Sequence, residues 1–465
     1  MKYLIQCMRQ VGCLSSAALG LTALRLLAAD NPTPAGKPTP QVETVWRLDR
    51  VIFATDSATS NGCHFAAITK GAGGGQSVVV DGRPGQKCDA IGEGSLQFSA
   101  DGTRVAYVAV VGGKQFAVVD GKAGPGFDEV GSPVFSANGS RLAYTAGKSN
   151  GKAVVVADGQ AGPEYDRISQ TSLILSADGL RIACWARKGE KYVVVADGQL
   201  SPEYDEAGLL IFSADGKSLA YGARKGDKWL VMVNGEAGPA YDGLGALALS
   251  AHGKRVAYLA RKGDKSFVVV DDRPGPECDG LLQDSLAFSA DGKRFAYKAA
   301  KGSRRFVVVD GQMSPEYEGL GNGSPVFSPD GKRVAYAARK GQKWSMVVDG
   351  QVGPEYDGIS QTSPVFNPDG QRVAYGANQG SKWFFVVDGQ PSPDYEAVGK
   401  LVFSANGKRV AYVAKKGKKS LVVTDGQPGP EFKGIAAGPV FRRDGVLEYM
   451  AMDENDVLSR VTARP

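Results

Sequence analysis

Cations recur at one place in a repeating sequence: Arg187-Lys188, Arg224-Lys225, Arg261-Lys262, Arg304-Arg305, Arg339-Lys340 and Lys415-Lys416. Each pair lies beside a Gly in a short polar stretch between two apolar runs, which is the composition of a hairpin tip. An array of such tips could hold an anionic polymer, lipid head groups or an acidic partner. Tips kept soluble by their charge have the same composition. Local acids at Glu190, Asp227 and Asp264 dilute the field.

Other reactive types offer less. Catalysis needs unlike groups that converge, and the chain has only His64 and His252, the second in the Asp slot of a turn. No G-x-S-x-G elbow, P-loop, HExxH or CxxC occurs. Asp-Gly pairs are numerous, at Asp101, Asp215, Asp291, Asp330 and Asp369 in one turn and at Asp120, Asp158, Asp197, Asp310, Asp349, Asp388 and Asp425 in another. Each turn supplies one carboxylate, whereas a calcium loop needs several oxygens. The expectation is turn chemistry, with no catalytic residues, no metal and no cofactor.

The elements that carry these residues follow from a period of about 38 residues, repeated roughly ten times from about residue 53 to the end. One copy begins at Phe327 and the next at Phe366. In the copy from Ser324, SPVFS ends at the turn Pro329-Asp330-Gly331. RVAYAA follows, with Val334 and Tyr336 on one face and Ala335 and Ala337 on the other. Both faces are apolar, so the sheet needs cover on both sides. WSMVVDG gives a third strand and PEYDGIS a fourth. Four short antiparallel strands per unit, stacked against like units, predict an all-β fold, a β-propeller of about ten four-stranded repeats. A β-solenoid is the alternative. In each blade the basic tips share one end, and both Asp-Gly turns share the other.

FSPDGKRVAY at Phe327, FSADGTRVAY at Phe98 and FSADGKRFAY at Phe288 resemble the WD-repeat-like propeller repeats typified by TolB. The resemblance covers nearly the whole chain after its first segment. It implies a propeller, and members of that family are often exported proteins that bind partners. Two departures put a TolB-specific role in doubt: no α/β domain precedes the repeats, and the period is a few residues short.

A longer period runs through the copies. DGRPGQKCD at Asp81 returns as DDRPGPECD at Asp271, ISQTS at Ile168 returns at Ile359, and SPEYDEAG at Ser201 returns as SPDYEAVG at Ser392. Each offset is about 190 residues, or five repeats. The expectation is two tandem five-bladed propellers, residues 43–247 and 248–465. One ring of ten or eleven blades is the alternative, supported by the lack of a linker near 242–250. The last copy lacks a PEYD strand, and Glu43–Leu48 is placed to complete its sheet, which suits one closed ring.

The N-terminus differs in kind. Lys2 and Arg9 precede an apolar stretch from about Val11 to Ala29, read as a signal peptide over 1–29, with an uncleaved anchor as the alternative. A Pro/Thr-rich linker follows over 30–42. Without Lys2, Arg9 and Arg25 the balance is 52 basic against 49 acidic residues, which gives no case for nucleic acid. Of the remaining cysteines, Cys88, Cys184 and Cys278 occupy Tyr positions of the repeat, so they read as packed apolar substitutes. The expectation is a periplasmic or secreted, non-enzymatic scaffold that binds a protein partner in the cell envelope, with no membrane span after cleavage. The alternatives are a binder of anionic glycan or cell-wall polymer through the basic face, and a polysaccharide-active enzyme with a central-channel site.

Overall fold

The computed structural model describes residues 41–47, 66–70 and 74–464, except 81–82, 283–284, 323–324, 362–363 and 456. Residues 1–40 and 48–65, which include the signal segment, Cys63 and His64, lie outside the described residues. The chain is a β-propeller, and no α-helix occurs among the described residues. Eleven antiparallel sheets follow one another there, numbered here 1 to 11 in chain order from Ala66.

Sheet 8 shows the plan. Its first strand is split into Gly319–Leu320 and Val326–Phe327, both paired with Val334–Lys340. That strand pairs with Lys343–Val348, which pairs with Gln351–Tyr356. The second and third strands match the expectation. The fourth does not: it is QVGPEY, and the residues after its Tyr cross over to open sheet 9 at Gly358–Ile359. The Asp at the end of PEYD therefore sits between sheets.

Alternation places Tyr336 and Ala338 against sheet 7, and Ala335 and Ala337 against sheet 9. An apolar cluster of this kind joins every neighbouring pair of sheets from 1 to 11. The pair 5/6 is joined like the others, by Val231, Tyr241, Tyr258, Ala260 and Val269. The block boundary drawn between 247 and 248 falls inside the strand Gly243–Leu249 of sheet 6. At several joints the first strands of neighbouring sheets approach each other, as Glu206–Phe212 does Gly243–Leu249, and at others the third strand meets the next sheet's first strand, as Lys343–Val348 does Gly358–Ile359.

The closing strand is present. Gln41–Arg47 pairs with Val457–Ala463 as the outer strand of sheet 11. The segment read as linker thus ends at Pro40, because Gln41 and Val42 already belong to this strand. Cys88, Cys184 and Cys278 are buried and free. Cys88 bridges Gln76 as Tyr165 bridges Ala153 in sheet 3, so it stands in for the tyrosine. No helix among the described residues is long and apolar enough to cross a membrane.

Candidate functional site

The second-to-third-strand hairpins form one end of the array, and the two members of each basic pair differ there. The arginines fold back on their own tips. Arg187 donates to the Gly189 carbonyl at 2.9 Å, Arg224 to Gly226 at 2.7 Å and Arg339 to Gly341 at 3.1 Å. Arg224 also pairs with Glu206, and Arg339 lies over the Trp344 ring. Arg261 reaches the Asp242 carbonyl at 3.5 Å.

The lysines that follow point elsewhere. Lys188, Lys225, Lys262 and Lys340 are exposed, and none has a carboxylate within ion-pair distance among the described residues. Sheet 7 departs from the expected pairing. Arg304 and Arg305 fall after the tip glycine, at the start of the third strand, where Arg304 meets Glu318 at 3.6 Å and Arg305 bonds the Gly302 carbonyl. The true equivalent of Lys188 is Lys301, exposed and likewise without an ion-pair partner among the described residues. In sheet 10, Lys415 occupies the arginine position and Lys416 the lysine position, the latter 3.9 Å from Glu431. Lys188, Lys225, Lys262, Lys301 and Lys340 thus form an arc over five consecutive sheets. Gln379 interrupts it in sheet 9.

The tip end also holds a ring of acids that the sequence reading passed over: the residue after each PEYD Tyr. Asp205 accepts the Gly226 N–H of the next sheet's tip at 2.7 Å and pairs with Lys191 of its own sheet's hairpin. Asp166, Asp242 and Asp357 repeat both contacts. The lysine bond, then the glycine N–H, holds these carboxyls below the usual range. The field of the tip face is therefore partly neutralised, and the arc lysines are among the exposed tip cations left without an ion-pair partner among the described residues, as are Lys382, Lys415 and Lys418. The signal was in the sequence: an acid recurs 14 residues after the hairpin lysine, as Asp205 does after Lys191.

At the opposite end the Asp-Gly turns serve structure, as expected. Asp349, at φ +53°, accepts the Val334 N–H with one oxygen and the Arg333 Nε–H with the other at 2.9 Å. The same arginine donates to the Gln371 carbonyl of the next sheet and covers the Phe366 ring at 5.5 Å. Asp330 accepts from Ser328 and from the Lys332 N–H, which lowers its pKa. No group of three metal-ligating side chains occurs among the described residues.

No family model matches the chain, and no curated protein matches it. Among solved structures, the eukaryotic initiation factor aligns at 15% identity over 69% of this chain and 94% of that one, with a TM-score of 0.39. The β-propeller domain of the Trilobed protease from Pyrococcus furiosus aligns at 13% over 57% and 96%, with 0.28. TolB from Acinetobacter baumannii aligns at 15% over 54% and 78%, with 0.26. These are likenesses of fold alone.

Proposed function

We propose that the chain is an exported, non-enzymatic propeller of the TolB-type repeat class that serves as a protein-interaction scaffold in the cell envelope. Its docking surface is the lysine arc, which takes an acidic face of a partner protein. The arc itself carries the reading: five exposed ammonium groups, spaced by the repeat and without an ion-pair partner among the described residues, three of them beside arginines spent on their own tips. Continuous packing through sheets 5 and 6 supports one array in place of two separate rings, so the arc acts as one surface.

Two measurements test this. N-terminal sequencing of chain recovered from envelope fractions is expected to begin near Asp30; recovery from the cytosol with Met1 intact would overturn the export reading. Partner capture should weaken at about 0.5 M salt, where screening is far stronger than at physiological ionic strength. It should fall at least about tenfold in a Lys225→Glu, Lys262→Glu, Lys301→Glu variant. Capture indifferent to both would remove the arc from the interface. The same lysines suit an anionic glycan, and binding of alginate with equal salt and charge sensitivity would favour that alternative over a protein partner.

A further inference from the structure

Lys298 is 2% exposed, in the middle of the Phe295–Lys301 strand of sheet 7. The same position carries uncharged residues in other sheets, among them Val108, Thr145, Trp185 and Leu259. Its ammonium crosses to sheet 8 and donates to the Gly321 carbonyl at 2.5 Å. That carbonyl is the one hydrogen-bond partner of its three N–H donors among the described residues. A buried cation with one neutral acceptor is poorly compensated. Burial accordingly pushes its pKa down.

Lys298 is not sealed in packing. It lines a cavity of about 210 Å³ between sheets 7, 8 and 9, with Leu320, Tyr336, Trp344 and Ile359 as apolar wall and Asn322 and Gln361 as amides. Sites for drug-sized ligands run to roughly 300–1,000 Å³, so this one suits a single ring or a branched chain. The repeat does not require a cation here. Five sheets earlier, the corresponding cavity is lined by Val108, Glu93 and Glu129, which is the opposite sign.

We propose that this cavity binds a small apolar monocarboxylate, with its carboxylate on the Lys298 ammonium and its body against Trp344. The site lies apart from the exposed lysine arc and does not depend on it. Such a ligand supplies the missing counter-charge as an N⁺–H···O⁻ bond, and its apolar body covers the ring wall. Neutral isosteres would leave the ammonium as poorly compensated as before.

The test is calorimetric titration of the full chain with benzoate and with benzamide. Benzoate is expected to bind with a Kd on the order of 1 mM, the scale open to so small a ligand. Benzamide should bind at least about tenfold more weakly, and Lys298→Met should reduce benzoate binding by the same factor. Carbon-detected titration of lysine ε-carbons gives a second readout: benzoate should raise the Lys298 pKa. Equal binding of benzoate and benzamide would overturn the site, as would undiminished benzoate binding by the Lys298→Met variant. So would a ligand-free Lys298 titrating at or above the ordinary lysine value, which would mean a counter-ion within the chain. Absence of any response to acetate, isobutyrate and benzoate well above 1 mM would overturn it too.

Discussion

The central-strand tyrosines bury their rings between sheets, and not every phenol finds a partner there. Tyr144 is 1% exposed, and its hydroxyl has no hydrogen-bond partner among the described residues. Burial pushes this phenol above its ordinary value. Tyr221, its equivalent in sheet 5, meets the Tyr204 hydroxyl at 3.3 Å. A buried polar group left unpaired costs about 1–3 kcal/mol, whereas a made bond contributes about 1. Tyr144→Phe is therefore expected to be neutral or to raise stability by up to about 1 kcal/mol, and Tyr221→Phe to lower it by about 1 kcal/mol. Denaturant midpoints at constant slope read both; a loss for Tyr144→Phe as large as for Tyr221→Phe would refute the account. Lys298 gives a pH-dependent counterpart. Its folded pKa lies below the unfolded value, so the native state releases this proton first as pH rises. Below the folded pKa the buried charge costs its full penalty. Through the window up to the ordinary value near 10.5 the unfolded chain holds more protons, and stability rises with pH. Lys298→Met should thus exceed the wild type in melting temperature near neutral pH, with the gap narrowing as pH climbs into that window. A gap that stays constant with pH would sink this reading.

At the scale of the element, what joins one sheet to the next is only partly apolar. An arginine at the start of the second strand ties its own Asp-Gly turn to a carbonyl and a Phe ring of the following sheet, as Arg294 does with Asp310, Lys332 and Phe327. Sheet 5 lacks this tie. Ser218 and Asn234 hold the Arg and Asp positions and bond each other at 3.2 Å, and Leu249 stands where the Phe would be. Joint 5/6 is crossed instead by Asp215, through the Ala251 carbonyl and through His252 at 3.6 Å. A half-exposed ion pair with a cation–π contact is worth about 0.5–1.5 kcal/mol. Arg294→Met should cost that much, and Ser218→Ala less than about 0.5 kcal/mol; similar losses from both would refute the tie. This joint also shows what was legible in the sequence. The strands were, because apolar alternation and Asp-Gly turns repeat with the period. The tie was harder to see, since one arginine beside a turn looks like a solvated charge. Its mark is that Arg and Asp are present together in most repeats and lost together at Ser218 and Asn234. The split first strand left no mark, because GLGNGSP has no alternation to betray two short pairings. Lys298 was invisible for the opposite reason: a lysine in an apolar strand reads as outward-facing until a neighbouring sheet is seen to cover it.

At the scale of the molecule, an array of sheets must manage its edges. Along most of the chain the outer strand does this with its own sequence. The Gly-Pro-Glu run in Gln351–Tyr356, Gln427–Phe432 and, as Gly-Pro-Ala, Glu236–Tyr241 removes a donor and discourages further pairing. Among the described residues, sheet 11 has no such strand from its own repeat. Its third strand, Val457–Ala463, has no proline and would be a bare edge. Gln41–Arg47 covers it in a six-residue register broken only between Thr44 and Trp46. The N-terminal strand therefore has two duties: it completes the last sheet, and it guards an edge that would otherwise pair with another molecule. A chain beginning at Leu48 separates these duties from the rest of the array. Sheets 2 to 10 retain all their apolar joints, so far-ultraviolet signal should be nearly unchanged. Residues 434–463 should lose hydrogen-exchange protection, and the protein should associate in a concentration-dependent way in light scattering. A synthetic peptide of residues 41–47 should suppress that association. If the shortened chain stays monomeric and sheet 11 keeps its protection, the strand is an ornament on a self-sufficient sheet, and the edge argument fails.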